Sequence, residues 1–188
     1  MNSHERYNTL TIGLHWLMAI LLVAVYAFME LRGIFPKGSD PREAMKALHF
    51  MLGLSVLLLV LPRLALRLLT ATPSIEPEPP AWQQASARLV HLGLYVLMIA
   101  MPLAGWLLLS AAGKPIPFFG LHLPALIDKN KELADFIKEI HAVGGEIGYY
   151  LIGLYVFAVL FHHYFKHDNT LSRMLPVYKN LGNRADNP

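Results

Sequence analysis

The chain has 188 residues, no cysteine, 55% hydrophobic and 15% charged residues, and its mean hydropathy is positive. Soluble domains carry nearer a quarter charged residues, so this balance excludes an ordinary soluble domain and points to the bilayer as solvent. The formal charge of +3 is too small and too dispersed for a nucleic-acid partner, and without cysteine there are no disulfides, thiolate metal sites or Cys-ligated clusters.

Four stretches reach the roughly 20 mostly apolar residues that a spanning helix needs: residues 11–31, 47–69, 87–111 and 141–165. More spanners follow the first run, and no small-residue cleavage site ends it, so it is expected to remain as a helix rather than be removed as a signal. RGIFPKGSDPRE, after the first helix, carries glycine and proline turn signals. TATPSIEPEPPAW, after the second, is dense in proline and reads as a stiff extended linker. AAGKPIPFFGLHLPALIDKN, after the third, mixes proline with Phe118, Phe119, Leu121 and Leu123, and is expected at the interface or folded back on the bundle. KELADFIKEI has helical spacing, which starts the fourth helix before its apolar run. The expected fold is an all-α membrane protein, a single domain over residues 1–188 built as an antiparallel four-transmembrane-helix bundle.

Basic residues divide evenly between the two sides. Arg6, Arg63, Arg67, Arg88, Lys166, Arg173, Lys179 and Arg184 lie with both termini. Arg32, Lys37, Arg42, Lys46, Lys114, Lys129, Lys131 and Lys138 lie on the far side. The positive-inside rule is therefore tied, and the short N-terminal tail tips the expectation to cytoplasmic termini.

Histidine is the unusual component, with nine copies. His15, His49, His91 and His141 each lie near the start of one spanning segment. Because successive helices alternate in direction, His15 and His91 share one depth near the termini, and His49 and His141 share another roughly 20 Å away at 1.5 Å per residue. The first and third helices of such a bundle are diagonal, as are the second and fourth, so each layer offers one imidazole from each of two facing helices. That is the donor set of a bis-histidine haem site. Gly53, Gly93, Gly105, Gly144, Gly145 and Gly148 would leave room for a macrocycle. A single histidine at a helix start otherwise reads as a group snorkelling to the headgroups, Trp16 as an interfacial belt residue, and the glycines as packing positions. A metal or proton path lined by the same four histidines is the rival reading of the spacing, since intramembrane ionisable residues face bundle interiors.

GLHWLMAI, LHFMLGLSVLLLVLPRLALR, HLGLYVLMIAMPLAGWLLLSAAG, PFFGL, EIHAVGG and HHYFKHDNTLSRMLP occur in order from Tyr7 to Pro176. Together they resemble the bacterial cytochrome b561 family, whose members are four-helix inner-membrane dihaem cytochromes b and include superoxide oxidases. The resemblance implies two haem b groups, with His15, His49, His91 and His141 as the iron ligands. Relatives often carry a further histidine fourteen residues after the one matching His141, on the same helix face. Here that position is Tyr155. The termini-side haem is accordingly assigned to His15 and His91, with His162 and His163 as substitutes should the ligand come from the fourth helix. Tyr155 reads first as a packing residue. His4, His122 and His167 fall in tails or loops.

The resemblance implies that superoxide donates electrons on the far, periplasmic side and that membrane ubiquinone accepts them. The eight far-side cations could steer a small anion, although Asp40, Glu43, Asp128, Glu132, Asp135 and Glu139 offset them and a solvated mixed-charge rim is the plainer reading. Arg63 and Arg67 are candidate haem-propionate or lipid-headgroup partners. Ser55, Trp82 and Arg88 join them as candidate quinone-site residues. The alternative function is an electron-transfer cytochrome b subunit linking a partner dehydrogenase or hydrogenase to the quinone pool.

Overall fold

The computed structural model describes residues 6–176. His4, Lys179 and Arg184 therefore lie outside the described residues. Helix α1 (Thr9–Leu31) opens on Asn8, whose side chain accepts the Thr11 N–H at 2.8 Å. Such a bond satisfies one of the free donors at a helix start. Helix α2 (Asp40–Leu69) begins seven residues ahead of its apolar run, which starts at 47. Its extra turns follow from sequence: Ser39 stands at the N-cap, Pro41 in the first turn, and Asp40 and Glu43 lie where the helix dipole favours negative charge. Helix α3 (Ala81–Ala111) starts directly after Pro80. Helix α4 (Lys131–Phe161) is opened by Asn130, which accepts the Leu133 N–H at 3.0 Å, and runs ten residues before His141.

All four helices are long and apolar enough to cross a membrane. They alternate in direction, and α1 packs on α2, α2 on α3 and α3 on α4. Side chains bridge α1 to α4: Tyr26 donates to the Gly145 carbonyl at 3.1 Å, and Tyr149 donates to Glu30 at 2.8 Å. Met18, Val56, Val60 and Met98 form the central core, while Ile20, Val23, Leu58, Leu89 and Phe157 project outward as a lipid-facing surface. Pro62 in α2 and Pro102 in α3 remove the hydrogen bonds that the Leu58 and Met98 carbonyls would otherwise accept. Helices in lipid tolerate this when neighbouring groups take up the freed carbonyls.

The loop after α3 folds back on the bundle, as one of its two expected placements had it. It contains a small antiparallel hairpin, β1 (Ile116–Phe118) with β2 (Leu121–Leu123), which the all-helical expectation did not include. Phe119 and Gly120 both have positive φ, 45° and 86°, the signature of a two-residue turn matched to strand twist. Ile116 is buried with Leu54 and Leu109. Trp106 donates its indole N–H to the Pro124 carbonyl at 3.0 Å, and Ser110 Oγ accepts the Leu126 N–H at 3.1 Å. These contacts cap the far side of the bundle.

The termini side is held by a clasp. Asn169 accepts the Glu76 N–H at 3.0 Å through its side-chain oxygen, tying the proline-rich linker to the chain beyond α4. Arg173 is buried, donates to the Pro73 carbonyl and sits over the Tyr7 ring at 5.7 Å. Asp168, only 7% exposed, pairs with His162 Nδ1 and accepts the Thr170 N–H at 2.9 Å. Burial by itself pushes the Asp168 carboxyl up, but the hydrogen bonds from His162 and Thr170 outweigh it and hold it below the usual carboxylate value.

Candidate functional site: two histidine layers

On the far side, His49 of α2 and His141 of α4 face each other across the bundle, ring centroids 6.1 Å apart and planes crossed at 77°. Two metal–imidazole bonds of about 2.0–2.1 Å, each with about 1.1 Å from nitrogen to ring centre, place in-line ligand rings about 6.3 Å apart. The observed spacing matches that donor set. His49 Nδ1 lies 2.9 Å from the Val25 carbonyl of α1. As a donor there, it leaves the Nε2 lone pair free for a metal and fixes the ring plane. His141 Nδ1 is buried without a hydrogen-bond partner among the described residues. An orphaned buried nitrogen beside a correctly spaced second imidazole fits an iron ligand set.

The glycines divide by role. A Cβ on Gly105 would lie 3.3 Å from His141 Cε1, so the glycine lets that ring lie against α3. A Cβ on Gly148 would strike the Tyr26 hydroxyl, so this position admits the Tyr26 bridge. Gly144 and Gly93 give room to Met101 and Leu151. Gly53 and Gly145 open onto space with no neighbour within 4 Å among the described residues, which is the kind of space a macrocycle needs.

On the termini side the arrangement differs. His15 Nδ1 lies 2.9 Å from an Arg63 guanidinium nitrogen. A guanidinium only donates, so Nδ1 accepts and the ring proton sits on Nε2. Tyr155 is the shared neighbour of both histidines, its ring 6.5 Å from His15 and 5.7 Å from His91. The four histidines thus fall into two groups, one pair in direct apposition and one pair around a phenol. The far-side residues fit haem ligation as they stand, whereas the termini-side layer needs Arg63 to release His15 first.

Other candidates are placed as follows. His162 is engaged by Asp168, His163 is half-buried beside Tyr164, and His122 and His167 are exposed. Trp16 donates its indole N–H to the Met174 carbonyl at 2.7 Å, which gives it a fastening role in the clasp. Ser55 returns its hydroxyl to the Met51 carbonyl of its own helix, and Trp82 and Arg88 point outward. Arg63 and Arg67 line a small cavity with Thr11 and Tyr95. Of the eight far-side cations, Lys46 pairs with Glu43 at 2.6 Å and Lys131 with Asp135 at 2.8 Å. Arg42 is spent on the Arg32 and Phe35 carbonyls at the end of α1. Arg32, Lys37, Lys114, Lys129 and Lys138 make no ion pair among the described residues.

Two features were not anticipated from sequence. The Val25 carbonyl is backbone, and no residue type announces it. Tyr26, eleven residues after His15 and so on nearly the same face of α1, carried a signal in that spacing.

A family model for prokaryotic cytochrome b561 matches residues 6–177. The chain is 42% identical over 175 residues to the Escherichia coli (strain K12) protein named cytochrome b561 homolog 1, covering 93% of this chain and 99% of that one. It is 38% identical over 173 residues to a Yersinia pestis protein named probable superoxide oxidase CybB, covering 92% and 97%. It is 29% identical over 175 residues to E. coli cytochrome b561 homolog 2, covering 93% of each. The chain belongs to the prokaryotic cytochrome b561 family, bacterial membrane electron-transfer proteins that bind haem b.

Proposed function

We propose that this protein is a dihaem superoxide:ubiquinone oxidoreductase of the bacterial inner membrane, with both termini in the cytoplasm and the hairpin side facing the periplasm. The observation that carries the reading is the facing pair of His49 and His141, 6.1 Å apart, in the half of the bundle opposite the termini. One haem b is held by His49 and His141 and the other by His15 and His91, with Arg63 and Arg67 as propionate partners. Bound haem supplies one-electron acceptance and donation, which no side chain here provides.

The protein's own groups do the rest. The Val25 carbonyl fixes the tautomer of His49. Gly105 lets His141 take its place. Arg32, Lys37, Lys114, Lys129 and Lys138 stand free of ion pairs among the described residues, interspersed with Asp40, Asp128, Glu132 and Glu139; where such cations line a cleft, they raise the encounter rate of a small anion by ~10–10³-fold. Superoxide is such an anion and a one-electron donor, so removing its electron requires access and field, with no acid–base residue. Ubiquinone dissolves in the bilayer that the helices span. The printed name of the 38%-identical relative lends support to this substrate pair.

Stopped-flow mixing of the purified protein with superoxide should reduce the haem within the mixing regime, and added ubiquinone should reoxidise it. Haem reduction no faster than the uncatalysed control would contradict the proposal. The second reading is an electron-transfer subunit passing electrons between a partner dehydrogenase or hydrogenase and quinone. The exposed Leu133, Phe136 and Ile140 on the first turns of α4 favour it as a docking face. That reading predicts haem reduction only when the partner is added.

A further inference from the structure

Two consecutive residues of α1 reach the two helices that carry the far-side histidines. The Val25 carbonyl lies 2.9 Å from Nδ1 of His49 on α2. The Tyr26 hydroxyl donates to the Gly145 carbonyl of α4 at 3.1 Å, and Gly145 is one turn beyond His141 on the same helix face. A helical carbonyl accepts along its own helix with one lone pair and has a second to offer, so neither bond disturbs a helix. Helix packing does not supply this connection. Helix α1 packs broadly on α2, and α4 on α3, so side chains make the link from α1 to α4. Tyr26 also has a prepared seat: a Cβ on Gly148 would strike its hydroxyl and crowd Leu97. Tyr149 packs on the Tyr26 ring with centroids 4.4 Å apart and donates to Glu30 at 2.8 Å.

We propose that Tyr26 is a positioning residue for the far-side haem ligand, acting on His49 through the Val25 carbonyl. This rests on the reading that His49 and His141 hold a haem b. The bond at His49 Nδ1 is made to a backbone atom, so its length and angle depend on where α1 stands. One bond to α2 leaves α1 able to rotate and slide. A second bond to α4, from the very next residue, stops both motions at the level where Val25 meets His49. The same bond fixes α1 beside Gly145, one turn from His141. Tyr26 thus ties both ligand helices to one point of α1, while its hydroxyl bonds neither imidazole. A hydrogen bond from Nδ1–H makes the imidazole a more basic ligand. Stronger donation favours the oxidised iron, and such bonds are one lever on reduction potential. Releasing α1 weakens the Val25 bond and moves the potential up. The Tyr149–Glu30 bond joins the same two helices at the last turn of α1, four residues beyond Tyr26, and ties them without that consequence.

The test is a redox titration of the full-length, haem-loaded protein in phosphatidylcholine nanodiscs, with the two haem components resolved by their difference spectra. Tyr26→Phe keeps the ring and removes only the hydroxyl. It should shift the one-electron equilibrium of the component that His49→Ala loses by roughly three- to tenfold, ~30–60 mV upward, and leave the other component in place. Gly148→Ala unseats the same hydroxyl from the opposite helix and should move the same component in the same direction. Tyr149→Phe should lower the thermal midpoint about as much as Tyr26→Phe and shift neither potential, which separates positioning from simple helix tying. No shift in Tyr26→Phe, equal shifts of both components, or an equal shift in Tyr149→Phe would overturn the role. The failures are distinguishable. If His49→Ala keeps both components, the ligand pair falls and this role with it. If His49→Ala loses one component and Tyr26→Phe leaves that component unmoved, the positioning role alone falls.

Discussion

Far from the termini, His49 donates to a backbone carbonyl and its ring centre lies 6.1 Å from that of His141; near the termini, His15 accepts from Arg63, and Tyr155 stands beside both imidazoles. The residue types are the same and their positions on the helices correspond, but His49 and His15 hold opposite tautomers. A carbonyl at Nδ1 leaves Nε2 ready to bind a metal, while a cation at Nδ1 puts the proton on Nε2. Matched spacing places histidines at matched depths, while the partner of the second ring nitrogen sets how ready each is to bind a metal.

The largest effect should come from breaking the prepared layer. His49→Ala is expected to lower superoxide-driven haem reduction by two orders of magnitude or more, measured by stopped flow, because it removes the group nearest the proposed entry side. Haem titration into apoprotein sharpens the contrast. The far-side site should fill first and the termini-side site later, because Arg63 must leave His15 Nδ1 before the second haem binds. Tyr155→Phe tests whether the phenol only packs. Haem content should remain at the wild-type value by pyridine haemochrome, and loss of one haem would make the Tyr155 oxygen a ligand.

Smaller effects follow from the surroundings of each layer. Lys114→Gln with Lys129→Gln should slow association with superoxide several-fold and flatten its dependence on ionic strength, since steering by exposed charge is screened by salt. On the termini side, the clasp is the titrating element. The Asp168 carboxyl is held below its usual value, so its contribution to stability is complete above the unfolded pKa of about 3.9 and is lost as pH falls through the lower folded value. The thermal midpoint of Asp168→Asn should therefore lie a few degrees below wild type at pH 7 and converge with it as acid protonates the folded-state carboxyl.

The bundle was legible because the apolar runs exceed what any soluble core helix requires, and because alternation of helix direction follows from short connectors. The helix starts were less so. Asp40–Lys46 and Lys131–Ile140 are charged helical turns outside the apolar windows, where Pro41 in the first turn of α2 and the Asn130 side-chain cap of α4 set the boundary. The hairpin was hidden for a different reason: its strands are three residues each, and Phe119 occupies a left-handed turn position that sequence rules reserve for glycine or asparagine. The four histidines could be sorted by depth from spacing alone. Their difference could not, because it depends on a carbonyl of Val25, on the reach of Arg63 from a neighbouring helix and on the absence of side chains at Gly53 and Gly145. Tyr155 was visible in the sequence as a departure, and the structure gives it two histidine neighbours.

The account turns on there being two distinct haem layers, and counting haem in single-histidine variants tests it most directly. Pyridine haemochrome assays with redox-difference spectra should give two haems per wild-type chain. His49→Ala and His141→Ala should each give one haem and lose one and the same spectral component, and His15→Ala and His91→Ala should lose the other. A wild-type stoichiometry of one, or a His91→Ala protein that keeps both haems while His162→Ala or His163→Ala loses one, would contradict it.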